Sequence, residues 1–114
     1  MRVVFVSGPY RSDSEYGVHQ NIQRAEQLAL EVWRLGVACI CPQKNTAYFG
    51  GVLPDSTWLG GDLELVRRSD AVIMIPGWEA STGARHERTL AESLGIPVFT
   101  DIEELRKWCN SKKA

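Results

Sequence analysis

The sequence predicts an α/β fold: one parallel sheet of four or five strands between two layers of helix. Three observations predict it: short β-branched runs without polar interruption, amphipathic helical stretches between them, and Gly or Pro at nearly every junction. Unbroken apolar runs are typical of strands covered on both faces. Strands that alternate with helices join in parallel, through right-handed crossovers. At 114 residues the chain reads as a single domain, 1–114, large enough for one core and too small for two.

Residues 2–7 are β-branched and aromatic and stop at Gly8-Pro9, which makes them a central first strand. From 19 to 35 the apolar positions Ile22, Ala25, Leu28, Ala29, Val32 and Trp33 recur at helical spacing, and Gly36 stands where a C-cap glycine belongs. Residues 37–41 give a second short strand, ended by Pro42. Residues 43–57 show no clear period, carry Gly50-Gly51 and Pro54, and read as a long functional loop. Leu59, Leu63 and Val66 place a helix over 58–69, with Gly60-Gly61 obscuring its start. A third strand follows at 71–75 and a turn at 76–80. Ser81 then caps a helix over 82–94, closed by Gly95 and Pro97. A short strand at 98–100 and a charged helix at 101–110 complete the pattern.

Composition excludes several function classes. Thirteen Lys and Arg against fourteen Asp and Glu give no broad basic surface for a nucleic-acid polymer or an anionic membrane. The apolar run after Arg2 is too short for a signal peptide, and no stretch approaches a membrane span. Cys39 and Cys41 alternate with Ala38 and Ile40 on one face of a strand, so they read as reduced core thiols rather than a bridge or a zinc site, and a cytoplasmic location is expected. His19 and His86 match no ligand spacing, so neither a metal nor a cofactor is expected.

In an open parallel sheet, ligands bind beyond the carboxyl ends of the strands, which here means the loops after Ser7, Pro42 and Pro76. The helix over 82–94 carries the main anomaly: its inward stripe of Ala84, Leu90, Ala91 and Leu94 contains Glu87. A carboxylate on a core face is costly without a partner, although a dipole-stabilising role near the helix start is an equal alternative. Asp62 lies at the edge of the Leu59, Leu63 and Val66 stripe and, taken alone, reads as a helix-start carboxylate. Two carboxylates meeting at one sheet edge suit glycosidic cleavage, one attacking or stabilising an oxocarbenium-like centre and the other moving protons.

Ser7, Gly8, Tyr10 and Arg11 follow the first strand. Gly8 permits close ligand approach, and Arg11 offers a fork for phosphate or is simply a solvated arginine. This loop is neither a dinucleotide nor a triphosphate motif. Ser81 and Gly83 at a helix N-terminus suit an anion and are equally consistent with plain capping. Tyr48, Phe49, Trp58 and Trp78 offer aromatic faces for a base or close the core under the loops.

Ser7-Gly8-Pro9-Tyr10, Asn21, Asp62-Leu63 and the run from Pro76 to Glu87 together resemble the nucleoside 2-deoxyribosyltransferase superfamily, in particular its short DUF4406-like branch related to nucleoside 5′-monophosphate N-glycosidases. The resemblance covers 3–97. It implies a flavodoxin-like or Rossmann-like three-layer sandwich, an oligomer, and a small nucleoside or nucleotide as substrate. It also implies a glycosyl-enzyme intermediate on Glu87 and assistance by Asp62. Ser7, Gly8, Tyr10, Arg11, Asn21, Ser81 and Gly83 become the expected substrate contacts, with Arg11 and Ser81 matching the groups that hold a 5′-phosphate in the hydrolase branch. Ser81 stands six residues before Glu87, as the corresponding serine does there. The family's glycine-tyrosine before the nucleophile is Arg85-His86 here, and 108–114 show no evident equivalent of the C-terminal residues that longer members lend to a neighbour's site. Hydrolysis is expected over transfer. A non-catalytic nucleotide sensor, and an enzyme acting on another ribosyl compound such as a dinucleotide, remain as alternatives.

Overall fold

The structure is a computed structural model and describes residues 1–111. Four strands, β1 (Val3–Ser7), β2 (Ala38–Ile40), β3 (Ala71–Met74) and β4 (Val98–Phe99), form one parallel sheet in the order β2-β1-β3-β4. The helices are α1 (Glu15–Trp33), α2 (Pro42–Asn45), α3 (Asp55–Arg67), α4 (Thr82–Ser93) and α5 (Ile102–Ser111), with a 3-10 turn at Trp78–Ala80. The predicted α/β sandwich is present, at the lower of the two expected strand counts.

Side-chain alternation along the strands divides the core into two layers. Val4, Val6, Ala71 and Ile73 face one side and pack with Ala25, Ala29 and Val32 of α1 and Leu105 of α5. Phe5, Val72 and Met74 face the other and pack with Val66 of α3 and with Ala84 and Ala91 of α4. Ser7 lies two residues beyond Phe5, so the same period directs it to the α3 and α4 side.

Several expectations are corrected. Helix α1 begins at Glu15 rather than 19, because Ser14 caps it by accepting from Gly17 N at 3.0 Å. A Cβ on Gly17 would come within 1.9 Å of Ser12 Oγ, so the glycine that masks the helix start is sterically required there. Trp33 and Leu94 fit the periodicity yet are half exposed, because each belongs to a terminal turn beyond the apolar clusters. The stretch 43–57 is not all loop. Pro42 opens α2, as its fixed φ and missing N–H favour, and α3 starts at Asp55 immediately after Pro54. Gly60 and Gly61 sit on the solvent side of α3 with nothing within 4 Å, so they weaken the helix without breaking it.

Cys39, Cys41 and Cys109 are free and pack against the α1 and α5 layer. Burial pushes the Cys39 thiol up to about 12, which keeps it protonated. Among the described residues, no helix is long and apolar enough to cross a membrane.

Candidate active site

With this strand order, the two central strands β1 and β3 send their chains to opposite sides of the sheet. The crevice at their carboxyl ends is where doubly wound sheets bind ligands. Ser7 and Met74 are paired in register at that end, and Ile75 N donates to Ser7 O at 2.8 Å. Gly8 comes next; a Cβ there would stand 2.6 Å from Ile75 Cβ, so only glycine lets the β1 loop cross the end of β3.

Glu87 reaches this point from α4. Ser81 caps that helix, its Oγ accepting from Ala84 N at 3.2 Å, and the stripe Ala84, Glu87, Ala91 faces the sheet. Glu87 is 6% exposed, and Ser7 Oγ donates to its Oε1 at 2.6 Å. Burial raises the Glu87 carboxyl to about 8. The Ser7 hydrogen bond opposes that rise, and the charge of Asp62 adds to it.

Asp62, half buried on α3, is raised to about 6 by desolvation. Helices α3 and α4 pack side by side, and the charge of Asp62 is felt at Glu87 as the smallest of the three influences on its carboxyl. With Glu87 raised to about 8 and Asp62 to about 6, the two carboxyls together hold about one proton near neutral pH, most of it on Glu87. If the proton shifts to Asp62, Glu87 is left as an anion and Asp62 as an acid.

The other expected residues lie on the loop after β1, on α1 and at the start of α4. Asn21 donates from Nδ2 to the carbonyls of Tyr10 and Arg11 at 3.0 and 3.2 Å, which fixes the loop after β1 to α1. Tyr10 Oη accepts from Tyr48 N at 2.6 Å. Arg11 is exposed and pairs with Asp55 at the start of α3, Nη2 to Oδ2, at 2.7 Å. Gly83 lies in the first turn of α4, where a Cβ would meet only Ser81 Oγ, at 4.0 Å. His86 lies on the exposed face of α4, while Trp78 packs against the α3 and α4 layer under the Arg88 guanidinium. Ser7 and Glu87 are thus joined by a hydrogen bond, Asp62 acts on Glu87 through its charge, Gly8 follows Ser7, and Tyr10, Arg11 and Asn21 organise the loop after β1.

Gln43 was missed by sequence reasoning. It is buried, and its Nε2 donates to Gly8 O at 3.0 Å, tying α2 to the residue after Ser7. The available signal was Pro42: a proline at a helix N1 position makes the next residue helical rather than part of a loop. Among the described residues, no group of three His, Cys, Asp or Glu could hold a metal ion. The C-terminal stretch is described to Ser111, and 112–114 lie outside the described residues.

A family model described as "Domain of unknown function (DUF4406)" matches residues 2–100. Among solved structures, the chain is similar to a 2-deoxyribosyltransferase from the psychrotolerant bacterium Bacillus psychrosaccharolyticus. The TM-score is 0.68 and the identity 17%, covering 91% of this chain and 90% of that one, a likeness of fold. A search of curated proteins finds no match. With its match extending from β1 through β4, the chain belongs to the DUF4406 family and has the α/β fold of a 2-deoxyribosyltransferase.

Proposed function

We propose that the protein cleaves the N-glycosidic bond of a nucleoside or nucleoside 5′-monophosphate, by hydrolysis rather than base exchange, through a glycosyl-enzyme intermediate on Glu87. The observation that carries this reading is the buried Ser7–Glu87 hydrogen bond at the crevice between β1 and β3, electrostatically coupled to Asp62. A purely structural core has no use for two coupled carboxyls, whose burial is costly.

In the productive proton arrangement, a Glu87 carboxylate oxygen attacks C1′ as the C1′–N bond breaks. The bonding pair leaves with the base nitrogen, which takes the proton from Asp62. Water then attacks C1′, Asp62 accepts its proton, and the ester bond to Glu87 breaks. Free base and sugar are released, and Glu87 returns as a carboxylate. Ser7 steadies that carboxylate in both steps. Arg11 and the Ser81 end of α4 suit a 5′-phosphate, since an arginine fork and helix N–H groups both favour an anion, and this is why hydrolysis of monophosphates is preferred.

A sensor without chemistry is the second reading. It is favoured by the proton that Glu87 retains near neutral pH. Incubation with nucleosides and their 5′-monophosphates, with free base measured by chromatography, separates the two. Base release that is lost in Glu87→Ala supports the enzyme, whereas binding without release supports the sensor.

A further inference from the structure

We infer that the indole N–H of Trp58 is the donor by which this site selects its base, favouring a nucleobase that presents a carbonyl over one that presents an amino group at the same edge. The inference rests on the reading of the crevice as a nucleoside or nucleotide site.

Among the described residues, Trp58 Nε1 is the one buried side-chain polar atom without a hydrogen-bond partner. Buried donors are nearly always satisfied, so an orphan beside a ligand site calls for a functional reason. Trp58 stands four residues before Asp62 on α3, hence on the same helix face and about 6 Å along the axis. With Glu87 at C1′ and Asp62 at the glycosidic nitrogen, a donor one turn further along α3 meets the far edge of the base. Indole donates and cannot accept, so an amino group there leaves two donors facing each other, while a carbonyl satisfies the N–H.

The segment 46–54 meets Trp58 through Phe49. Phe49 leans on the Trp58 ring, with centroids 5.8 Å apart and planes tilted by 53°. The same segment holds Tyr48 at φ +63°, a strained conformation for a bulky residue. Tyr48 and Val52 are 65% and 74% exposed, so little packing holds the segment down and its local opening is cheap. A base entering the crevice displaces Phe49 and takes its place against the indole face.

The test is binding of uridine and cytidine 5′-monophosphates, and of inosine and adenosine 5′-monophosphates, measured by calorimetry for the wild type, Trp58→Phe and Phe49→Ala. The wild type is expected to prefer the carbonyl member of each pair by about tenfold. Trp58→Phe should bring the members within about twofold of each other. Phe49→Ala keeps the donor and should keep the preference. Equal preference in the wild type and Trp58→Phe overturns the inference, as does a preference lost equally in Phe49→Ala, which assigns selection to ring stacking. Base release by the wild type alongside either result leaves the enzymatic reading standing. A Trp58-dependent preference without base release upholds the inference and removes the enzymatic reading, and no binding of any nucleotide removes both.

Discussion

The two faces of the sheet are built from the same strands to different ends. Toward α1 and α5 the cluster is wholly apolar, with Val4, Val6, Ala71 and Ile73 against Ala25, Ala29, Val32 and Leu105. Toward α3 and α4 the apolar cluster of Phe5, Val72 and Met74 gives way, at the carboxyl end, to Ser7 and Glu87 with Asp62 coupled to them. The first face holds the fold together. The second gives up part of its packing to keep a carboxylate dry, and the difference teaches that the candidate site is a deliberate fault in one core layer.

Substitutions on the two faces should therefore fail differently. The largest effect is expected from Glu87→Ala, which should lower base release at least about a thousandfold, since it removes the attacking group itself. Far-UV circular dichroism should remain that of the wild type. Ile73→Ala on the opposite face should cost about 3 kcal/mol in urea unfolding while leaving base release per folded molecule unchanged. Equal damage to activity by both would erase the contrast between the faces.

Glu87→Gln sharpens the contrast through pH. The Glu87 carboxyl is raised from 4.5 to about 8, so the folded state binds its proton more tightly than the unfolded chain does. Its stabilising contribution is complete below pH 4.5 and is lost as pH rises to 8. The glutamine variant should lack this decline and exceed the wild type by up to about 5 kcal/mol at pH 9 in urea midpoints analysed at constant slope. Ser7→Ala has the smallest expected effect. Losing a donor to the carboxylate raises the Glu87 carboxyl further, so the basic limb of the pH–rate profile, where Glu87 gives up the one proton the two carboxyls hold, should move upward by about one unit, with little change in stability near neutral pH.

The faces were also unequally legible in the sequence. Strand alternation and helical spacing are local, so the apolar layers, the Ser81 cap and the inward place of Glu87 could be read directly. Trp33 and Leu94 misled because periodicity continues past the point where a helix leaves the sheet. The pairing of Ser7 with Glu87 is eighty residues long-range, and it depends on strand register, which no local pattern specifies. The Gln43 to Gly8 bond and the Arg11–Asp55 pair stayed hidden because two glycines in α3 and the proline that opens α2 imitate a loop. The resemblance to the deoxyribosyltransferase superfamily found the fold and the family branch, and the geometry of the carboxylate pair had to come from the structure.

The central claim concerns a covalent bond, and the most direct measurement looks for it. The protein is mixed with a nucleoside 5′-monophosphate from which it releases base, quenched in acid within the first turnover, digested, and analysed by mass spectrometry. The account predicts a sugar phosphate attached to the peptide that contains Glu87, formed together with about one equivalent of free base and absent in Glu87→Ala. Rapid base release with no adduct, or an adduct on another residue that persists in Glu87→Ala, would contradict it.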